Sequence, residues 1–407
     1  MSHAHVTPDS LAVATEATAA PCALCADGAV EEFFVLPGVA ATCNRLYASR
    51  SDAMAAARGD LRLVFCPSCG YIYNRAFRPA AAAYEPGYEN ALQYSQRFRR
   101  YARALANWLI DQADLHDKEI VEIGCGDGFF LNELCRQGRN RGTGFDPAYV
   151  PRPGLDESPA VRFRREYYPP KSGHQLADLL CCRQVLEHLP DPLAFLQQVR
   201  QSVRSPDAAA LFIGVPNALP MLKGLALWDL LYEHRSYFLP DTLVRLLIRS
   251  GFSPAMVRVT YGGQYLAVLA LPSGSFPVDV AARRPGVQTA RLVGAFAGLF
   301  ARRLEQWQKR LEEYRRLDKR VVFWGAGTKG VVLLNALSGA EELVECVVDV
   351  NPRKQGLFVP LCAHEVVAPE SLRAWPPKVV VVMNALYRRE VRQKLEELAI
   401  HADVVTA

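Results

Sequence analysis

Two Cys-x-x-Cys pairs, Cys22-Ala-Leu-Cys25 and Cys66-Pro-Ser-Cys69, place four thiols at the spacing of zinc knuckles, the second followed by Gly70. A tetrahedral Zn site needs two such tight turns, each presenting backbone N–H groups toward its sulfurs; the length between them is permissive once both have formed. A redox pair is the rival reading, but duplication outside a strand–helix–strand unit speaks against it. Four protein thiolates fill the coordination sphere, so the expected zinc is structural and leaves no position for metal catalysis. Cys43 could replace one ligand, but it lacks a close partner and reads more simply as a buried thiol.

The chain also carries two glycine loops. In EIGCGDG, Glu122 precedes Gly124, Gly126 and Gly128, and Asp146 follows in GTGFDP at the end of a second apolar run. Glycines let a turn pass close beneath a ligand, the next helix offers its free N–H groups to an anion, and an acid about 20 residues on can accept from ribose hydroxyls. In WGAGTKG, Gly325, Gly327 and Gly330 have the dinucleotide spacing, Lys329 stands inside the loop, and Asp349 lies near the place of a ribose-binding acid. Read alone, that second loop describes an NAD-binding oxidoreductase, although no residue set nearby looks ready for hydride chemistry.

Two of the eight histidines sit where a parallel sheet presents its ligands. Gln184 and His188 follow the fourth strand signal in CRQVLEHLPDP; Asn217 follows the fifth in VPNALP, and Glu233, His234 and Tyr237 come next in WDLLYEHRSYFLP. A lone histidine is usually structural, whereas a pair at this rim favours acid–base work. Glu166, after the third strand signal, faces either an adenine amino group or solvent.

The elements that must position these residues fall into blocks. Residues 1–20 are small and polar and read as a disordered tail; 21–94 form a zinc-binding domain. Residues 95–271 alternate strand and helix signals, KEIVEIG, RGTGFD, VRFRRE, ADLLCCR and AALFIGV, closed by an antiparallel hairpin around Tyr261-Gly262-Gly263. Residues 272–318 are a linker and a long helix with charge pairs such as Glu305 with Lys309, and 319–407 repeat the strand, glycine loop, helix, strand order. The fold class is therefore α/β, with two Rossmann-like units behind a zinc-binding domain.

With 50% hydrophobic and 22% charged residues over 407 positions, the chain has ordinary globular composition. A net charge of +5 spread along its length points away from nucleic acid. Eleven cysteines cannot all pair, and several lie in apolar runs, as expected of a reducing compartment. Charges or prolines interrupt every apolar segment before the roughly 20 residues that cross a bilayer. The expectation is a soluble, cytoplasmic monomer or homodimer acting on a small molecule.

Together, the E-x-G-x-G-x-G form, the acid after the second strand and the order of strand signals resemble the class I methyltransferases, which use S-adenosylmethionine (SAM). The double zinc knuckle, the Tyr84-to-Gln93 segment YEPGYENALQ, EIGCGDG, EHRSYF and the terminal GAGTKG block together resemble the three-domain sugar C-methyltransferases of deoxysugar pathways. That resemblance implies methyl transfer to C3 of a nucleotide-linked 4-keto sugar. It places His234 as the base beside Glu233, aided by His188 and by either Tyr84 or Tyr88. It also implies SAM at Glu122, Gly124, Gly126, Gly128, Asp146, Glu166 and Gln184, and substrate against Asn217, Tyr237, Gly325, Gly327, Lys329 and Asn384. Carbon becomes a nucleophile only after a proton α to a carbonyl is removed, so such a site needs a base near neutral pKa and a donor for the enolate oxygen. Leu231, Gln184 and Met383 depart from the family pattern and leave the substrate less defined than the reaction. An O- or N-methyltransferase and a non-catalytic zinc scaffold are the remaining rivals.

Overall fold

The computed structural model describes residues 16–27, 29–82, 87–151, 158–170, 177–201, 210–272 and 286–407. An antiparallel sheet opens the chain, built from β1 (Glu16–Pro21), β2 (Ala29–Ala40), β3 (Arg58–Phe65) and β4 (Ile72–Asn74). The expected disordered tail is corrected at its end, because Glu16–Pro21 pairs with β2 and covers the open N–H and C=O edge that strand would otherwise present.

The central block begins with the helix Gln96–Ala113, whose first turn is capped by Ser95 Oγ accepting from the Phe98 N–H at 3.2 Å. Phe98, Ala102, Leu105, Ala106 and Leu109 recur at helical spacing and form its buried face. The sheet behind it contains β5 (Glu119–Ile123), β6 (Arg141–Phe145), β7 (Val161–Arg164), β8 (Leu179–Arg183) and β9 (Ala210–Pro216). The two-residue strand β10 (Ser236–Tyr237) precedes the hairpin of β11 (Ser253–Thr260) and β12 (Tyr265–Leu271). Its order is β11-β12-β9-β8-β5-β6-β7, with five parallel strands and the hairpin antiparallel at one edge. This is the class I methyltransferase arrangement. The register sets Ile123 beside Phe145 and Cys182, so Gly124, Asp146 and Gln184 emerge on one carboxyl edge.

A third, wholly parallel sheet has the order β15-β14-β13-β16-β17, from β13 (Val321–Trp324), β14 (Cys346–Val348), β15 (Val366–Val367), β16 (Val379–Val382) and β17 (Asp403–Thr406). Runs such as Val379–Val382 are buried throughout, as strands covered on both faces require. Trp324 pairs with Val348 and Val382, which brings Gly325, Asp349 and Asn384 to its carboxyl edge.

The blocks interlock. Strand β10 leaves the central block to pair with β4, Ser236 opposite Tyr73, and becomes the fifth strand of the first sheet. In the helix Val287–Arg316, Val293, Phe296, Phe300, Leu304, Trp307 and Leu311 form one buried stripe. Phe296 and Phe300 each meet the Phe34 ring edge-on with centroids 5.1 Å apart. Each such buried side chain stabilises the packing by about 1.5–3 kcal/mol. No helix among the described residues is long and apolar enough to cross a membrane.

Candidate active site

The four knuckle cysteines converge. Cys22 Sγ lies 3.7 Å from Cys69 Sγ and Cys25 Sγ lies 3.7 Å from Cys66 Sγ, and all four sulfurs fall within 4.8 Å of one another. A tetrahedron with Zn–S bonds of about 2.3 Å has S···S edges of about 3.8 Å, so this donor set fits a closed Cys₄ site. The Leu24 N–H points at Cys22 Sγ at 3.4 Å, as a knuckle turn requires.

At the central carboxyl edge the first glycine loop runs in left-handed conformation at Gly124, Gly126 and Gly128. A Cβ on Gly124 or Gly128 would collide with Val185 or Phe163, whereas one on Gly126 would meet nothing within 4 Å. Gly126 is thus the point where a ligand can lie on bare backbone. Its N–H donates to Asp146 Oδ2 at 3.0 Å, while Asp146 Oδ1 accepts from the Ala148 N–H at 2.8 Å. Glu122 is 2% exposed, with Oε1 3.5 Å from Arg183 and Oε2 without a hydrogen-bond partner among the described residues. Burial pushes its carboxyl up to about 7, opposed by Arg183. An orphaned buried carboxylate oxygen beside an open glycine fits the ammonium and methionyl end of SAM. Gln184 takes φ +54 at the end of β8, a conformation that asparagine enters more readily than glutamine. Glu166 sits part-exposed with Arg164 at 3.6 Å.

The second glycine loop repeats this division. Gly325 turns at φ +116, a Cβ on Gly330 would stand 2.4 Å from the Gly325 carbonyl oxygen, and one on Gly327 would meet nothing within 4 Å. Asp349 spends both oxygens on the Ala326 and Asn351 N–H groups, each at 2.8 Å. Lys329 reaches Asp229 at 2.8 Å, and the buried Lys354 donates to the Ala326 carbonyl at 2.8 Å.

These two edges face one cavity of about 600 Å³, lined by Gln184, Glu187 and His188 on one side and by Gly325, Gly327 and Lys329 on the other. Tyr88 and His234 also line it. The His188 and His234 rings meet edge-on with centroids 4.8 Å apart. His188 Nδ1 lies 2.9 Å from the Glu233 carbonyl oxygen, which only accepts, so Nδ1 carries the proton and Nε2 is unprotonated in the neutral ring. Burial lowers His188 to about 4, and burial beside His188 holds His234 well below its ordinary value. The base near neutrality expected at His234 is therefore not found at that ring. Glu233 lies nearest to it, pushed up to about 7 by burial while accepting from the Cys43 N–H at 3.0 Å and hydrogen-bonding the Tyr88 hydroxyl.

Other assignments change. Tyr237 accepts from the Leu231 N–H and donates to its carbonyl, at 3.1 and 2.8 Å, so it props the turn bearing His234 and does not face substrate space. Asn217 caps the helix Ala218–Leu222 and donates to the Gly263 carbonyl at 2.9 Å, away from the cavity. Asn384 does line the cavity, but its amide forms a reciprocal pair with Gln264 at 2.9 and 3.0 Å. Tyr84 lies outside the described residues. The sequence reading missed Glu187, Asp229, Gln264 and Lys354; only the adjacency of Glu187 to His188 offered a signal. It also missed the strap from Glu89 to Gln93. There Glu89 pairs with Arg353 at 3.1 Å and Gln93 bonds Asp127 of the first loop, tying both Rossmann-like units together.

Comparison with known proteins follows this geometry. Residues 94–255 match a methyltransferase domain family and residues 281–403 a C-methyltransferase C-terminal domain family. The C-methyltransferase NovU of Streptomyces niveus is 26% identical over 72% of this chain and 72% of its own length. A ubiquinone biosynthesis O-methyltransferase of Pseudomonas aeruginosa is 29% identical over 24% of this chain and 45% of its own length. Among solved structures, the 1,6-didemethyltoxoflavin-N1-methyltransferase of Burkholderia thailandensis is 21% identical, with a TM-score of 0.35 over 43% of this chain and 80% of its own.

Proposed function

Because the chain belongs to the three-domain SAM-dependent C-methyltransferases, we propose that it methylates a carbon α to a ketone, C3 of a nucleotide-linked 4-keto deoxysugar, through an enolate. The observation that carries this reading is the shared cavity, lined by the second glycine loop, by both histidines and by Gln184 from the carboxyl edge that bears the first loop. With SAM held by Glu122, Gly126 and Asp146 and a nucleotide against Gly327 and Lys329, the sugar lies between them beside His188, His234 and Tyr88. SAM supplies an electrophilic methyl group; the protein's task is to make a carbon nucleophilic and align it.

His234 removes the α proton. Burial keeps its basicity low, and an anionic diphosphate bound nearby raises it, because negative charge favours imidazolium. Glu233 fixes Tyr88, and Tyr88 and His188 bracket the reacting carbons. The Asp229–Lys329 pair is the switchable element: Lys329 exchanges its carboxylate for a phosphate oxygen when substrate binds. The four thiols hold a structural zinc that pins the first sheet, which in turn fixes β10 and the His234 turn. The O-methyltransferase relative matches only 24% of this chain and does not decide the acceptor.

Mass spectrometry after incubation with SAM and a panel of nucleoside-diphosphate 4-keto-6-deoxyhexoses tests the substrate class. A gain of one methyl on carbon, with solvent deuterium entering the α position when SAM is left out, is the expected result. Methylation of oxygen or nitrogen without exchange refutes the enolate.

A further inference from the structure

Glu187 occupies the turn between β8 and His188, lines the cavity and is 1% exposed. Neither of its carboxyl oxygens has a hydrogen-bond partner among the described residues. Buried polar groups are almost always paired, and an unpaired one costs about 1–3 kcal/mol, so one in the wall of a ligand cavity points to an interaction made with a bound ligand. Oε1 lies 3.9 Å from His188 Nε2, and both residues offer an atom within 4.8 Å of a His234 ring nitrogen. At 3.9 Å the contact with His188 is too long for a hydrogen bond. Nor is it an ion pair, since the tautomer fixed by the Glu233 carbonyl leaves Nε2 unprotonated.

Resting on the enolate reading above, we infer that Glu187 is a further catalytic residue: as an uncharged carboxylic acid it donates a hydrogen bond to the substrate's ketone oxygen and holds that oxygen while enolate charge develops. The step balances without another reagent. The α C–H bond breaks and its proton passes to His234, while the electron pair moves onto the carbonyl oxygen, which accepts from the Glu187 O–H. The enolate carbon then bonds the SAM methyl, the S–C bond breaks with its pair on sulfur, the ketone re-forms, and His234 returns its proton to solvent. An ionised carboxylate at this place would repel the enolate; a neutral one in a water-poor site is a strong donor.

The surroundings keep it neutral. Cys182 faces it from β8, His188 from its own turn, and Glu233 and His234 from the following loop. The histidines are uncharged, and any negative charge on Glu233 disfavours a second. Burial, reinforced by Glu233, pushes the Glu187 carboxyl up to about 8. Its donor function is therefore complete below about pH 7 and is lost as pH rises through about 8.

The test measures α-deuterium exchange and single-turnover methylation with the nucleoside-diphosphate 4-keto-6-deoxyhexose panel, from pH 6 to 9, for wild type, Glu187→Gln and Glu187→Leu. Calorimetric SAM titration of each variant reports the fold. Leu removes the donor and should lower both rates by about 10²–10³ with SAM affinity unchanged. Gln keeps a donor that cannot ionise; it should stay within about tenfold of wild type at pH 7 and lose the fall above pH 8. Leu within about threefold of wild type, or an alkaline fall that persists in Gln, overturns the role of Glu187 while leaving wild-type exchange, and so the enolate, intact. Absence of exchange in wild type overturns both. If Glu187→Leu does not fold, the pH profile of Glu187→Gln decides.

Discussion

If the ammonium of SAM lies against Glu122, as proposed, SAM affinity becomes a function of pH that can be worked out in advance. Its carboxyl is 2% exposed, pushed up to about 7 by burial, and one of its oxygens is unpartnered. The ammonium of SAM pairs only with the ionised form. A group of pKa about 7 is roughly 3% ionised at pH 5.5 and about half ionised at pH 7.0, so affinity should rise about 15-fold across that interval, about 1.6 kcal/mol. Working below pH 7 keeps the ligand's own α-amino group protonated. Folding stability runs the other way: a carboxyl whose folded pKa is raised contributes its full stability below the unfolded value near 4.5 and loses it as pH rises through about 7. SAM should therefore raise the melting temperature more at pH 7 than at pH 5.5. Calorimetric titration of wild type and Glu122→Gln reads both effects. Gln should bind about 10- to 100-fold more weakly at pH 7, having lost a charge-assisted hydrogen bond, and should show no slope. A wild-type affinity independent of pH, or a slope retained in Gln, refutes the assignment of Glu122 to the ammonium.

Further outcomes follow from the same geometry. Stripping the Cys22–Cys25–Cys66–Cys69 cluster with a strong chelator should release one zinc per chain by elemental analysis and lower the melting temperature, and Cys66→Ser should do the same without chelator. His234→Asn should reduce α-deuterium exchange by at least about 100-fold while SAM titration is unchanged. Lys329→Ala should raise KM for the nucleotide substrate without lowering SAM affinity, and equal loss of both would refute its placement against phosphate. Phe300→Ala removes a fully buried ring packed against Phe34 and Trp228 and should cost about 3–5 kcal/mol in denaturant unfolding.

What the sequence determined is what short spacing controls. Two knuckles of two cysteines each, three glycines between a strand and a helix, and valine runs for parallel strands are local rules. The four-cysteine cluster, both loops and the class I strand order were therefore legible before any contact was known. Residues whose roles depend on partners far along the chain were not. Asn217 and Tyr237 occupy plausible loop positions, yet backbone groups of Gly263 and Leu231 claim their polar atoms. The ambiguity between the two glycine loops was also tertiary, because identical local geometry at Gly126 and Gly327 says nothing of what lies opposite. Only packing decided that the two carboxyl edges share one cavity, that β10 joins the first sheet, and that Glu187 is sealed beside two neutral histidines without a partner. Burial and long-range pairing set the charge state of those groups, and neither is encoded in the spacing of residues along the chain.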